Sequence, residues 1–211
     1  MTQAPAAAPS EIARLCVEID DVAPRVLRII EVPIDARLDD LHFVLQIAIG
    51  WQNGHAFEFR AGPNVWGSAD RDSPSELRPA QSATLADILA VDACFSYNYV
   101  LGEDWEHTVR LLERAAASPD TRYPNLVHAE GRCPPADIGG PTGYETYLRS
   151  IADPNSAHHA DMIDFDTPDF DPHAADEARL RENLASLARY IGRKPVGRHP
   201  QLPRSAPGAT G

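Results

Sequence analysis

The stretch Phe95–Glu113, FSYNYVLGEDWEHTVRLLE, decides the fold because it holds two strands and the turn between them. The segments FSYNYV and WEHTVRLLE alternate apolar with polar residues, a pattern typical of strands that bury one face. Gly-Glu-Asp at residues 102–104 supplies the turn chemistry that joins antiparallel neighbours. In the second segment, one face of the strand carries Trp105, His107, Val109 and Leu111.

A strand pair and a helix are predicted upstream of this hairpin. Apolar residues alternate with polar ones from Leu15 to Ile19, and the segment RVLRIIEVPI at 25–34 is rich in β-branched residues. The apolar spacing over Leu38–Ile49 predicts a helix, with glycine directly after it. A strand at residues 55–60 and a short helix opened by a capping box at Thr84 complete this half of the chain.

The order of these elements predicts the fold class. Residues 61–83 and 115–141 are expected to be loops, with helices after them. The resulting order, ββαβαββ followed by C-terminal helices, predicts an α+β fold with a mostly antiparallel sheet, and its opening is compatible with a β-grasp-like core. We expect one domain over residues 11–191, flanked by a disordered N-terminal tail at 1–10 and a disordered basic tail at 192–211.

Composition and charge disfavour several classes of protein. The formal net charge of −12 disfavours broad contact with nucleic-acid backbones, so a nucleic-acid partner is expected only through the basic tail. Cys16, Cys94 and Cys133 are far apart and form no disulfide framework, which predicts a reducing cytoplasm. No apolar stretch approaches the roughly 20 residues that a membrane-spanning helix needs, so no membrane partner is expected.

Motifs of the common enzyme classes do not occur in the sequence. The nucleotide-binding patterns GxGxxG and GxxxxGK[ST] are absent, and so are the hydrolase patterns GxSxG and HExxH. No catalytic residue is assigned on this basis, and the sequence favours a protein that is not an enzyme.

Two regions concentrate residue types that bind partners. The first is the strand with Trp105 and His107, and the second is the segment 123–144, which contains paired proline and paired glycine. Proline restricts φ and glycine permits positive φ, so this segment is expected to have a defined shape. The candidate binding patch consists of Trp105, His107, Tyr123, Cys133, Asp137 and Tyr144, with Trp51 and Trp66 as further aromatic anchors.

A metal site is an alternative for part of this patch. His107, Cys133 and Asp137 have the donor types of a mixed zinc site, although their spacing is nonstandard and offers one thiolate. His107 equally suits a core histidine that is hydrogen-bonded to backbone or carboxylate. Cys133 equally suits packing as a small hydrophobe. Zinc is the one cofactor considered, and none is favoured.

Several segments in a fixed order resemble a known family. The segments are PRVLR at 24–28, LHFVLQIAIGW at 41–51, HAFEF at 55–59, GEDWEH at 102–107, YP at 123–124, CPPADIGG at 133–140, GY at 143–144 and FD at 170–171. Together they resemble the pRiA-type plasmid open-reading-frame-three-like family over roughly residues 12–190. The resemblance implies a compact α+β domain of bacteria and archaea, often encoded near mobile elements, and it implies no particular activity.

The chain departs from the pattern of this family. Members usually carry Tyr-Asp-Phe-Gly-Asp before Trp-Glu-His, where this chain has Tyr-Val-Leu-Gly-Glu at 99–103. Members often have a cysteine two residues after Tyr-Pro, where this chain has Leu126, while Cys133 matches their second cysteine. These departures weaken a two-thiolate metal site and carboxylate catalysis. Members also carry a resolvase-like "TnpR" label, but a serine-recombinase nucleophile with its arginine set is not found in this sequence.

These observations favour a non-enzymatic module, associated with mobile elements, that binds a protein or peptide partner through the candidate patch. Two alternatives stay open. One is a metal-binding domain or metal-dependent enzyme that uses His107, Cys133 and Asp137. The other is a nucleic-acid accessory protein that acts through the tail at 192–211.

Overall fold

A computed structural model provides the fold. It describes residues 9–51, 54–68, 77–100, 103–135, 137–159, 161–162 and 170–191. The predicted N-terminal tail, apart from residues 9 and 10, and the predicted basic tail at 192–211 lie outside the described residues. Within them, most of the buried apolar side chains form one cluster.

The described residues contain eight strands that form one sheet. The strands are β1 Glu11–Ile19, β2 Leu27–Pro33, β3 Phe57–Ala61, β4 Asn64–Gly67, β5 Arg78–Pro79, β6 Cys94–Tyr99, β7 Trp105–Ala116 and β8 Asn125–Glu130. Their order across the sheet is β5-β4-β3-β6-β7-β1-β2-β8. Neighbours are antiparallel except β4 and β5, which run parallel.

Helices pack against several strands of this sheet. In the described part of the chain they are α1 Leu38–Ile49, α2 Leu85–Val91, α3 Gly140–Ala152 and α4 Glu177–Ile191. The ring of His42 in α1 stacks on Phe57 of β3 with centroids 3.7 Å apart, and its Nδ1 lies 2.7 Å from the hydroxyl of Tyr97 in β6. None of the described helices has the length and apolar content needed to cross a membrane.

The structure confirms an α+β fold with a mostly antiparallel sheet. The predicted hairpin forms as β6 and β7, the strand pair predicted upstream forms as β1 and β2, and the predicted first helix forms over Leu38–Ile49. The predicted capping box at the start of α2 is present as well. The backbone N–H of Thr84 donates to Asp87 Oδ2 at 2.8 Å, and the backbone N–H of Asp87 donates to Thr84 Oγ1 at 3.3 Å.

The predicted order of elements missed three strands. β4 and β5 lie in the region expected to be a loop at 61–83, and β8 lies in the loop expected at 115–141. β4 and β5 have four and two residues, too few for an alternation to be recognised. β8 contains a register shift at Val127, so its buried residues Leu126 and Ala129 do not alternate. The β-grasp-like core is not confirmed, because the central strands β7 and β1 run antiparallel.

Strand pairing gives the centre of the sheet one apolar and one polar face. Phe59, Tyr97 and His107 lie side by side across β3, β6 and β7 and are buried. The residues between them point to the opposite side, because successive side chains of a strand alternate. Two rows across β3, β6, β7 and β1 therefore make up the polar face: Glu58, Asn98 and Glu106, then Arg60, Ser96, Thr108 and Glu18.

Candidate functional site

Three members of the predicted patch lie in the core. Trp105 and His107 have no exposed surface, and Tyr144 is 1% exposed. The expected anchors Trp51 and Trp66 are buried as well. In β7, the alternation that aligns Trp105 with His107 turns both side chains away from the polar face. None of these five rings has the exposed surface that the sequence prediction assumed. They stabilise the fold by leaving water.

His107 has the surroundings of a core histidine. Its Nδ1–H donates to the carbonyl of Tyr97 at 3.0 Å, and its ring meets the Trp51 ring edge-on at 5.4 Å. Burial lowers the pKa of His107 from 6.5 to about 4, so the ring is neutral near pH 7. Its Nε2 is buried without a hydrogen-bond partner.

The structure does not assemble the predicted zinc set. His107 lies in the core, whereas the Asp137 carboxylate is 64% exposed and lies 3.1 Å from His55 Nε2. The Sγ–H of Cys133 donates to the carbonyl of Pro134 at 3.3 Å. In the described part of the chain, no group of three or more His, Cys, Asp or Glu side chains is placed to hold a metal ion. The residue types were suitable, but their spacing did not bring them to a common point.

Tyr123 lies at the other end of β7 from the rest of the patch. Its hydroxyl accepts a hydrogen bond from the backbone N–H of Ser118, shortly after β7 ends, at 3.0 Å. Trp105 begins the same strand. Tyr123 is therefore separated from Trp105 by nearly the whole length of β7.

The two regions of the predicted patch nevertheless pack together, through Trp51. The Nε1–H of Trp51 donates to the carbonyl of Pro134 at 3.0 Å. Its ring centroid lies 5.5 Å from that of Trp105 and 5.2 Å from that of Tyr99. The proline-glycine segment is thus ordered against β6 and β7, but the contact is part of the core.

A cleft opens on the polar face, at the end of the sheet where β1 and β2 turn. It consists of two adjoining hollows of about 750 and 610 Å³ that share Asp20, Asp21, Glu106 and Pro141. The first hollow is completed by Glu18, Ile19, Val22, Ala23, Tyr144 and Glu145. The second is completed by Glu58, Arg60, Asn98 and Asp104. Volumes of this size suit a small ligand or a few residues of a peptide.

Backbone contacts fix the walls of this cleft. The N–H of Asp20 donates to the carbonyl of Glu106 at 2.9 Å, which ties the β1–β2 turn to β7. Asp21 and Asp104 are in the left-handed region, with φ of 58° and 54°. Aspartate tolerates this conformation better than most residues, so both turns keep a carboxylate at the rim of the cleft.

The cleft is strongly acidic. Its acidic lining side chains are Glu18, Asp20, Asp21, Glu58, Asp104, Glu106 and Glu145, and the basic side chain among its lining residues is Arg60. Arg60 is engaged by Glu58 at 2.6 Å, and Glu18 by Arg25 at 2.7 Å, which lowers the pKa of Glu18. The carboxyl of Asp20 accepts from the Thr108 hydroxyl at 3.0 Å. Burial nevertheless raises the pKa of Asp20, so its charge is incompletely compensated.

Asn98 lies on the floor of the second hollow with an unused acceptor. It is 8% exposed, and its Oδ1 has no hydrogen-bond partner. Its side chain points to the polar face because its neighbours Tyr97 and Tyr99 are buried on the other side. Glu58 and Glu106 lie directly beside it across the strands. Most buried amide oxygens have a donor, and Asn98 Oδ1 shares this deficit with Oε1 of the core residue Gln46.

Sequence reasoning missed this cleft entirely. Its polar-face residues are those that alternate with the apolar ones in β6 and β7, so the strand pattern contained a signal for them. Asp20 and Asp21 lie between the two predicted strands at 15–19 and 25–34, where no local pattern marks them as part of a site. What joins these residues is the pairing of β7 with both β1 and β6, which the pattern of a single strand does not contain.

Comparisons with known proteins place the chain in a family. Residues 11–179 match the sequence profile of the family described as plasmid pRiA4b ORF-3-like protein. The chain belongs to this family. All residues that line the cleft lie within the matched range.

Proteins similar to this chain occur in a bacterium and an archaeon. The uncharacterised protein y4hQ of Sinorhizobium fredii is 35% identical over 189 residues, which cover 88% of this chain and 96% of that protein. The crystal structure of a protein of unknown function, MM3350 from Methanosarcina mazei Go1, is similar with a TM-score of 0.73 at 25% identity. That match covers 81% of this chain and 98% of the archaeal one.

Proposed function

We propose that this protein is a non-enzymatic module that binds a segment of another protein in the acidic cleft. The observation that carries the proposal is Asn98, whose Oδ1 is buried on the cleft floor without a donor. A cleft with such an acceptor is built to receive hydrogen-bond donors from a ligand. The association with mobile elements is part of the proposal, and its support is the family's description as a plasmid reading frame.

The position of His107 supports binding rather than catalysis. It is the side chain of β7 best suited to carry protons near pH 7. In the structure it faces the core, whereas its neighbours Glu106 and Thr108 face the polar side. A ligand in the cleft is thus separated from His107 by the sheet itself.

Selection from a random peptide library against the full-length chain tests this proposal. We expect peptides to be enriched that bind the protein and lose binding when Ala23→Trp fills the first hollow. The matched control is Ala116→Trp, which places the same ring on an exposed residue at the far end of β7. Enriched peptides that bind both variants equally, or no enriched peptide at all, would contradict the proposal.

The nucleic-acid alternative remains a prediction about the tail at 192–211, which lies outside the described residues. The cleft itself does not favour it, because its carboxylates repel phosphate.

A further inference from the structure

We propose that the cleft recognises a basic peptide segment of another protein, with an arginine side chain seated between Asn98, Glu106 and Asp20. This inference rests on the proposed function and names the chemistry of its partner.

The charge of the cleft selects a cation. Most of its charged lining side chains are carboxylates, and its arginine is already bound by Glu58 at 2.6 Å. Carboxylates gathered in a concave site that is walled by protein attract cations more strongly than the same charges on a flat surface. A ligand without positive charge would desolvate these groups without compensating them.

Asn98 selects a cation that donates hydrogen bonds. Its Oδ1 needs a donor, and the carboxylate of Glu106 lies across the strand on the same face. Side chains that lie opposite each other in antiparallel strands have Cβ atoms about 5 Å apart. A guanidinium presents N–H donors in a planar fork, so one group can donate to the amide oxygen and to the carboxylate together.

Asp20 provides the third acceptor. The hydrogen bond from its backbone N–H to the carbonyl of Glu106 holds Asp20 beside β7, and its carboxylate accepts from the hydroxyl and the backbone N–H of Thr108. Burial removes water from this carboxylate and so destabilises its charged form. A guanidinium nearby would stabilise that charge. A metal ion is less suitable, because among the described residues no three His, Cys, Asp or Glu side chains are placed to hold one.

The second hollow explains why a peptide fits better than a lone cation. It adjoins the first through Asp20, Asp21, Glu106 and Pro141, so a chain can pass from one to the other. The first hollow adds apolar surface from Val22 and Ala23 together with the carboxylates of Glu18 and Glu145. An extended segment with basic residues at alternate positions would use both hollows, since such residues point to the same side.

Fluorescence anisotropy with labelled peptides tests the inference on the full-length protein. The probes are one peptide with two arginines at alternate positions and the same peptide with lysine, glutamine or glutamate in their place. We expect the arginine peptide to bind at least about tenfold more tightly than the glutamine peptide and more tightly than the lysine peptide. The glutamate peptide should not bind.

Two cleft variants and a matched control locate the binding. We expect Glu106→Gln and Asn98→Leu each to weaken binding of the arginine peptide by about tenfold. Glu182→Gln, which makes the same charge change on an exposed residue of α4, should leave it unchanged. Asn98→Leu removes an unsatisfied buried oxygen, so its melting temperature should not fall, and lost binding cannot then be attributed to unfolding.

The outcomes separate this inference from the proposed function. If the glutamine or glutamate peptide binds tightly and Ala23→Trp abolishes that binding, the inference of a basic partner is wrong. The proposed peptide-binding function is then supported. Spermidine that binds as tightly as the arginine peptide would overturn the peptide as the ligand. Equal loss in Glu106→Gln and Glu182→Gln would show nonspecific attraction and overturn the site. No binding of any peptide would overturn both.

Discussion

The guanidinium of Arg28 is almost fully buried and donates four hydrogen bonds to backbone carbonyls. Two acceptors are Ala48 and Ile49 at the C-terminal end of α1, which has no basic residue in its last turn. The others are Leu27 in β2 and Glu130 in β8. Burial lowers the pKa of Arg28 to about 10, so it remains charged near pH 7. One side chain thus satisfies carbonyls from three elements.

We expect Arg28→Lys to lower the free energy of unfolding by about 3 kcal/mol, because one ammonium group cannot reach four acceptors in this arrangement. Urea unfolding near neutral pH measures this change in the free energy of unfolding. The control is Arg25→Lys, whose partner Glu18 is at the surface, and which should cost less than about 1 kcal/mol. Equal urea midpoints for the two variants would show that the four hydrogen bonds of the Arg28 guanidinium do not stabilise the fold.

His107 makes stability depend on pH. Its pKa is about 4 in the folded state against an ordinary 6.5, so between these values the unfolded state binds the proton more readily. The contribution of His107 is therefore complete above pH 6.5 and is lost towards pH 4, at about 1.4 kcal/mol per pH unit. In His107→Asn, which keeps a donor for the Tyr97 carbonyl, the free energy of unfolding should fall less steeply in this window. If the free energy of unfolding falls equally steeply with pH in His107→Asn and in the unaltered protein, His107 is not the origin of the pH dependence.

At the scale of elements, α3 is positioned by the close approach of its first residue to the β6–β7 turn. A Cβ on Gly140 would lie 2.2 Å from the carbonyl oxygen of Glu103, and φ of Gly140 is 69°. The contact places Pro141 and Tyr144 in the wall of the cleft. α3 begins at Gly140, directly after Gly139, whose backbone is left-handed.

Gly139 and Gly140 form a matched pair for testing this contact. Both have positive φ, but a Cβ on Gly139 would meet nothing closer than 3.8 Å. We expect Gly139→Ala to cost about 1 kcal/mol for its conformation. Gly140→Ala should cost about 2 kcal/mol more because of the steric clash, and it should also weaken peptide binding. Urea unfolding compares the two, and equal losses would mean that the turn yields to the added methyl group.

At the scale of the whole molecule, the net charge of −12 and the concentration of carboxylates in one cleft act against the folded state. Salt screens this repulsion, and it also screens attraction to a basic peptide. The two effects of salt on this protein should therefore have opposite signs.

We expect an increase in NaCl from about 0.05 M to about 0.5 M to raise the melting temperature by a few degrees and to weaken binding of the arginine peptide. Calorimetry and anisotropy on the same samples measure both. Glu106→Gln should reduce both responses, whereas Glu182→Gln should leave the response of binding intact. Binding that strengthens with salt would exclude charge attraction as its origin.

Local patterns predicted much of this fold. The alternation of β1 and β7, the apolar stripe of α1 and the capping box at Thr84 are each contained in a few consecutive residues. β8 was not predicted as a strand because its bulge at Val127 interrupts the two-residue alternation of buried and exposed side chains. The close approach of Gly140 at the start of α3 to Glu103 joins residues that lie far apart in the sequence, so no local pattern reveals it.

The candidate site was predicted far less well. Trp105 and His107 were predicted to belong to a binding patch because their residue types are uncommon, yet they are core residues. Asn98 and Glu106 looked like ordinary polar positions of alternating strands. The unsatisfied Oδ1 of Asn98 depends on what surrounds it in three dimensions, and residue type alone does not reveal that.

The chain alone therefore specified the family, the fold class and which side of each long strand is apolar, because these follow from residue types and short-range periodicity. Tertiary structure decided that Asp20, Asn98 and Glu106 meet at one end of the sheet and that the aromatic residues face inward. The physical reason is that strand pairing joins distant segments through backbone hydrogen bonds, which every residue except proline can both donate and accept.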